Sequence, residues 1–410
     1  MLLTLIAIVL SIFPPKISDG FAIFLTLSSA IVYSNYEVRW FESYLKAMLI
    51  ASIVVFGNFF GVPSYVIASS LLICEVHFIL EMTKLRRKFI SSGYGALLFI
   101  FIYTSVGAIY FHIIQNFSLP YLLFLSLIGG LSASLVEYVK TEPGAMVIVA
   151  STTYLIFTIY VINTTIFYLA EAFAISFILA LISMKTGVAD ESGLLSATLI
   201  GTIVILFTDI RFFTIILTFY IVGSAATKYM YKEKYAKGVA EPAGGARGYV
   251  NVFSNSLAAL FFAINYGFYG LGVFKLAFLA SVATALGDTV ASEIGKTSEK
   301  VYLITNFKRV EPGTNGGISI KGEIAAIFGC LLICIVALVL RMINLNEIFA
   351  IFISSFIGVH IDSLLGATLE EKGWLTNAGV NFIATLSGGL ICLLMMYPKS
   401  YIGVYKVKVR

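Results

Sequence analysis

Residues 270–296 read GLGVFKLAFLASVATALGDTVASEIGK. Up to Gly287 the stretch carries a single charge, Lys275, and is long enough to cross a hydrocarbon core of about 30 Å as a helix. At Asp288 it turns polar. Asp288 and Ser292 stand four residues apart and share a helix face, with Thr289 and Glu293 beside them. Carboxylates at the end of an apolar span are costly unless paired or hydrated. Two acids and two hydroxyls there point to hard-oxygen coordination of a magnesium ion, in a place open to phosphates.

The rest of the chain repeats the apolar half of this pattern. Of 410 residues, 59% are hydrophobic and 12% charged, with a mean hydropathy of +0.97. Soluble domains carry about 25% charged residues, so a soluble globule is excluded. The apolar runs lack strand-like alternation, which excludes a barrel and selects helices. The reading is an all-α, polytopic transmembrane helical bundle of about 15 segments: 2–13, 19–34, 46–60, 63–82, 94–115, 119–137, 145–162, 165–184, 193–208, 211–227, 251–267, 270–288, 323–341, 346–365 and 379–397. The first and ninth are short. Met1–Phe13 lacks a basic leader and a small-residue cleavage site, and reads as a retained span.

Charge orients the bundle. The clusters Lys84-Leu85-Arg86-Arg87-Lys88, Lys228 to Lys237 with Arg247, and Lys296 to Lys321 fall on one side, together with Arg39 and Lys185. By the positive-inside rule that side is cytoplasmic. The tail, with Lys399, Lys406, Lys408 and Arg410, then falls on the other side. The net charge of +5 gives no ground for a nucleic-acid partner. Cys74, Cys330, Cys334 and Cys392 lie in apolar runs without metal-site spacing and read as buried small hydrophobes. Residues 1–164 have short loops, whereas residues 165–410 hold two long polar loops, 228–250 and 289–322, so a boundary is placed near 164.

Three further polar elements lie on the side of Asp288. Residues 305–322 read TNFKRVEPGTNGGISIKG. Gly313, Gly316 and Gly317 let backbone amides approach an anion, with Thr305, Thr314, Asn315 and Ser319 as polar partners. Lys308 and Lys321 add positive charge, and Ser319 precedes a helix start that favours phosphate. The order is not that of a Walker loop. In the loop before residue 251, Arg247 offers a bidentate guanidinium, and Asn251 and Asn255 follow one turn apart. Lys232, Lys234 and Lys237 read as a juxtamembrane anchor. Finally, Asp362 sits in an apolar span, followed by Ser363, Thr368, Glu370, Asn377 and Asn381. An acid so placed is a candidate functional group, here completing the metal site with Asp288 and Glu293. His360 reads as structural, Asp190 as a helix cap, and Glu75 with His77 as interhelical polar contacts.

Gly287–Gly295, Pro312–Ser319 and Asp362–Thr368 resemble the signatures of an integral membrane family. That family includes plant phytyl-phosphate kinase and transmembrane protein 19 of animals. The resemblance covers roughly residues 165–400. It departs from the family pattern at Asn251 and Glu370, where glutamine is usual, and at Ser256, where glycine is. Residues 81–93 are similar to a segment of dolichol kinase-like lipid kinases, with Ser91 in place of a histidine. This makes the N-terminal region a degenerate lipid-kinase-like half or a scaffold. The resemblance implies a multi-pass enzyme of the cell membrane that transfers the terminal phosphate of a nucleoside triphosphate, CTP or ATP, to a prenyl monophosphate. Magnesium would be the cofactor, the site would face the cytoplasm, and the isoprenoid phosphate and membrane lipids would be the partners. A CTP-dependent cytidylyltransferase acting on a lipid phosphate is the first alternative. A transporter of an anionic lipid or solute is the second, although the polar motifs gather at one face and not about a midplane site.

Overall fold

The apolar run from Gly272 to Leu286 forms a helix because lipid offers its backbone no other partner. A computed structural model describes residues 2–12, 60–139, 144–241 and 243–400, with positions 46, 50 and 57. The chain divides into two units, Met1–Phe177 and Ile178–Arg410.

The first unit contains α1 (Leu2–Ile12), α2 (Ser64–Met82), α3 (Leu85–Ile90), α4 (Gly95–Ile114), α5 (Leu119–Tyr138) and α6 (Ala145–Ile159). α1 packs on α2, α2 on α4 and α6, and α4 along α5. Glu137, fully buried at the end of α5, ties the unit together. His77 Nδ1 lies 3.0 Å from Glu137 Oε1, Arg86 Nε donates to Oε2 at 2.6 Å, and the Tyr103 hydroxyl also donates to the carboxylate. Four elements are thus joined at one acid, and a buried charge is tolerable only when so satisfied. Glu75 accepts from Leu3 N at 3.0 Å, so Glu75 and His77 both serve as interhelical contacts.

α7 (Ile166–Lys185) leads into the second unit. There follow α8 (Glu191–Phe207), α9 (Ile210–Lys228), α10 (Tyr231–Ala236), α11 (Tyr249–Tyr269) and α12 (Gly272–Gly295). A small sheet of β1 (Val301–Leu303), β2 (Arg309–Val310) and β3 (Gly317–Ile318) comes next. The unit ends with α13 (Ile320–Val339), α14 (Leu345–Leu365), a π-helical turn (Gly366–Glu370) and α15 (Asn377–Ser400). α12 is the centre, packing against α9, α11, α13, α14 and α15. It approaches α13 closely because Gly287 faces Gly329 and Cys330; a Cβ on Gly287 would lie 2.6 Å from Cys330 Sγ.

Among the described residues, nine helices are long and apolar enough to cross a membrane: α2, α4, α5, α7, α9, α12, α13, α14 with its π turn, and α15. α1, α6 and α8 are apolar but shorter, in line with the short first and ninth spans. α11 has 21 residues but is not among the nine, since Asn251, Ser254, Asn255, Ser256 and Asn265 lower its hydropathy. The expected spans at 19–34 and 46–60 lie outside the described residues, apart from positions 46, 50, 57 and 60, and most of the basic tail does too. The helical membrane bundle is therefore as expected, with a three-stranded sheet added to it. All four cysteines are buried and free.

Candidate active site at a cluster of helix ends

Several helix ends of the second unit meet on one side. α12 arrives at Gly295 where α13 begins, Gly295 and Gly322 packing closely. Asp288, near the end of α12, and Asp362, near the end of α14, line the same cavity and lie close enough to interact side chain to side chain. Asn381, in the first turns of α15, donates to Asp362 Oδ2 at 3.3 Å and to Asn377 O at 3.2 Å in the amide orientation that satisfies both. Asn377 in turn bonds the Glu370 side chain. Three helices that the sequence offered separately thus meet at one pair of carboxylates.

The glycine-rich segment is held over this pair by the sheet. β1 pairs antiparallel with β2 and β3, with Leu303 opposite Gly317, and Ile304 N donates to Gly316 O at 3.1 Å. Gly316 has φ of +71°, and its missing side chain leaves the room that brings it against Ser363 O and Ala367 of the π turn. Ser319 caps α13 by accepting from Gly322 N at 3.1 Å, and also receives the Ser298 hydroxyl. The Ser319 hydroxyl is committed to the cap.

Arg247 is fixed by its backbone. Its N–H donates to Val188 O at 2.8 Å and its carbonyl accepts from Asp190 N at 3.3 Å. Asp190 caps α8 through Gly193 N, and Ser192 Oγ accepts from Tyr249 N, so α8 and α11 start together. The Arg247 guanidinium is buried, 5.4 Å from the centre of the Phe219 ring. Burial pushes it below its ordinary pKa, and Tyr220, Glu241 and Glu293 pull it back. On α11, Asn255 Nδ2 donates to Asn251 O at 3.0 Å, while the buried Oδ1 of Asn255 has no partner among the described residues.

The acid after Asp288 behaves differently from expectation. One oxygen of Glu293 receives the buried Lys234 ammonium, which also donates to Ala226 O and Thr227 O at the end of α9. The other receives Lys296 Nζ at 2.7 Å, and Lys296 reaches Glu241 at 2.9 Å as well. Burial acts against the charge of Lys296, but Glu293 and Glu241 outweigh it and hold its pKa above the ordinary value. Burial acts to raise Glu241, and the charge of Lys296 overrides it, leaving that carboxyl below its ordinary value. With both oxygens engaged by ammonium groups, Glu293 is a charge anchor and not a free metal ligand. Lys234 is not a surface anchor but a cation at 1% exposure.

These elements enclose a cavity of about 540 Å³, of the size that takes a small-molecule ligand. Its wall includes Arg247, Asn251, Asn255, Asp288, Thr289, Ser292 and Glu293, the segment Gly313 to Ser319, and Asp362, Ser363, Asn377 and Asn381. Four expected site residues are not on it. Thr305 and Lys308 sit at the exposed β1–β2 turn, Lys321 points outward from the first turn of α13, and Thr368 bonds back to Leu364 O. Lys308 and Lys321, expected to serve the phosphates, thus lie off the wall of this cavity. The wall's cations are Arg247 and Lys296, with Lys296 quoted in the motif but not singled out.

The wall also carries six carboxylates, Glu241, Asp288, Glu293, Glu323, Asp362 and Glu370, against those two cations. No group of three His, Cys, Asp or Glu side chains converges to hold a metal among the described residues, so the three-acid set of Asp288, Glu293 and Asp362 does not form. The Asp288–Asp362 pair remains. Magnesium binds through one or two carboxylates and completes its shell with water and substrate phosphates. Hard oxygens from two helices, within hydrogen-bonding reach of each other in an acid-rich cavity, fit that habit.

Comparison with known proteins finds matches from α7 onward. The family described as integral membrane protein DUF92 matches residues 174–389. An uncharacterised membrane protein of Methanocaldococcus jannaschii is 34% identical over 219 residues, 53% of this chain and 90% of that protein. One from Synechocystis is 35% identical over 203 residues, 48% of this chain and 78% of the relative. Protein VTE6, chloroplastic, of Arabidopsis thaliana is 33% identical over 229 residues, 53% of this chain and 68% of its own length. No solved structure matches. The matched residues run from α7 to α15 and contain the whole cavity wall. The chain belongs to the integral membrane protein DUF92 family, the one its three motifs resemble.

Proposed function

We propose that the protein is a magnesium-dependent kinase that transfers the terminal phosphate of a nucleoside triphosphate, CTP or ATP, to a membrane-borne isoprenoid monophosphate. The observation that carries this reading is the cavity itself: a carboxylate pair, Asp288 with Asp362, set against the Gly313–Gly317 backbone and the buried guanidinium of Arg247. Beyond the cluster of Lys234, Lys296, Glu293 and Glu241, the wall sets Asp288, Glu323, Asp362 and Glu370 against Arg247 alone, a balance that would repel a phosphate. Asp288 and Asp362 would hold a divalent ion, whose charge would offset that of the wall and of the transferring phosphoryl group.

The acceptor is a phosphate monoester, already anionic near neutral pH, so no strong general base is needed. One acceptor oxygen forms a bond to the terminal phosphorus, the bond to the bridging oxygen breaks, and a nucleoside diphosphate leaves. The work of the protein is to hold two anions in line. Arg247 offers fixed positive charge, the glycine amides offer donors, and Asn377 and Asn381 hold the acids in place. Resemblance to a family that includes phytyl-phosphate kinase supports the isoprenoid acceptor. By the positive-inside rule, the basic loops support a cavity that faces the cytoplasm.

The test is an assay of purified protein with labelled phytyl or geranylgeranyl monophosphate, magnesium and each nucleoside triphosphate. Prenyl diphosphate is the expected product, abolished by chelation and reduced at least about 100-fold in Asp288→Asn. Released pyrophosphate with a nucleotidyl lipid would replace the kinase with a cytidylyltransferase. Near-wild-type turnover in Asp288→Asn, with folding intact, would remove the aspartate pair from the reaction.

A further inference from the structure

Two of the lysines that the sequence offered to the phosphates lie outside the cavity, and their surroundings share a pattern. Lys308 adjoins Phe307, which is 69% exposed at the β1–β2 turn with φ of +54°. Lys321 follows Ile320, 79% exposed at the start of α13. Beyond the π turn, Trp374 is 73% exposed, with Lys372 Nζ 5.4 Å from its ring centre. Each site pairs an exposed large apolar side chain with an exposed ammonium.

The three sites belong to one ridge. Ile304 is bonded to Gly316, Gly316 packs on Ser363 and Ala367, and Trp374 N donates to Leu369 O. Ile320 follows β3 after the cap residue Ser319. The ridge stands at the ends of membrane-crossing helices: α13 begins there, α14 with its π turn ends there, and α15 begins there. The ends of helices that cross a bilayer are where headgroup depth begins, between hydrocarbon and bulk water. In water, exposed Phe, Ile and Trp gain nothing; at a headgroup boundary the rings and alkyl groups enter the acyl edge and the ammonium groups meet lipid phosphates. Glu311 and Glu371 are exposed nearby, so the charge is mixed, with Arg309 adding to the cations.

We propose that this ridge seats an anionic lipid surface, with Phe307, Ile320 and Trp374 as the apolar contacts and Lys308 and Lys321 as the phosphate contacts. The proposal does not depend on the reaction assigned to the cavity. It assigns to the bilayer two lysines that the phosphoryl site does not use.

Trp374 makes the test direct, because Trp40 is the only other tryptophan. The full-length Trp40→Phe protein is reconstituted in phosphatidylcholine vesicles with increasing phosphatidylglycerol, one or the other lipid carrying brominated chains. The expected result is a blue-shifted Trp374 emission, quenched by brominated chains and shielded from aqueous iodide. Brominated phosphatidylglycerol should quench more than brominated phosphatidylcholine at equal mole fraction. Lys308→Ser with Lys321→Ser should reduce that preference by roughly fivefold per charge removed. Phe307→Trp in a Trp40→Phe, Trp374→Phe background gives a second reporter, expected to behave alike. A ridge tryptophan quenched by iodide and indifferent to bromine overturns the proposal, leaving a water-facing surface open to a soluble partner. Equal quenching by both lipids overturns its anionic part.

Discussion

Lys296 lies between Glu293 and Glu241, and the two sides of that clasp respond to opposite ends of the pH scale. Glu241 has its pKa held below the ordinary 4.5, so the stability it contributes is complete above that value and is lost as pH falls through the lower folded one. Lys296 has its pKa held above the ordinary 10.5, so its contribution is complete below that value and fades as pH rises through the higher folded one. The clasp is whole between these limits. Lys296→Met should lower the melting temperature near neutral pH and also flatten its fall on acidification, because Glu241 then has no partner to lose. Melting temperature against pH checks this, and a variant profile parallel to wild type would contradict the assignment. The sequence made half of this site legible. Asp288 and Asp362 stand out because an acid in an apolar run has few reasons to be there. Lys234 does not stand out, since it sits among Lys228, Lys232 and Lys237, where a basic stretch reads as an interface anchor. Nothing local marks which lysine of such a stretch turns inward to close a short α10 onto the end of α9 and onto Glu293.

At the level of elements, the long helices were readable from their apolar runs, whereas the sheet was not. Strands of two or three residues are too short to display a period of two. That sheet decides the fate of the loop's side chains: it directs Gly313–Gly317 into the cavity and sends Thr305 and Lys308 to the opposite tip. The junction it depends on is Gly316. A side chain there meets Ser363 O and Ala367, and the left-handed backbone adds about 1–2 kcal/mol of its own for any residue with a Cβ. Gly316→Ala should therefore lift the loop off the π turn, lowering the melting temperature and weakening nucleotide binding together. Gly373→Ala shares the positive φ but has open space around it, so it should cost stability while leaving binding intact. Thermal unfolding and nucleotide titration on both variants separate the two effects. Equal behaviour would mean that contact with the π turn does not hold the loop in place.

On the scale of the whole molecule, the cavity draws every described wall residue from Thr227 onward, and the family match begins at residue 174. The first unit meanwhile has a polar knot of its own at Glu137. Each unit thus satisfies its buried charges internally: Glu137 through His77, Arg86 and Tyr103, and Glu293 through Lys234 and Lys296. Buried acids left unpaired by a cut would cost about 3–5 kcal/mol each, and a cut before α7 leaves none of these pairs broken. A fragment of residues 166–410, which keeps α7 whole, should fold in detergent and bind a nucleoside triphosphate with magnesium within about tenfold of the full chain's affinity. Circular dichroism and titration of the fragment beside the full chain measure both properties. A folded fragment that has lost binding would show that residues 1–165 complete the site, and the N-terminal region would then be a working half of the protein and not its scaffold.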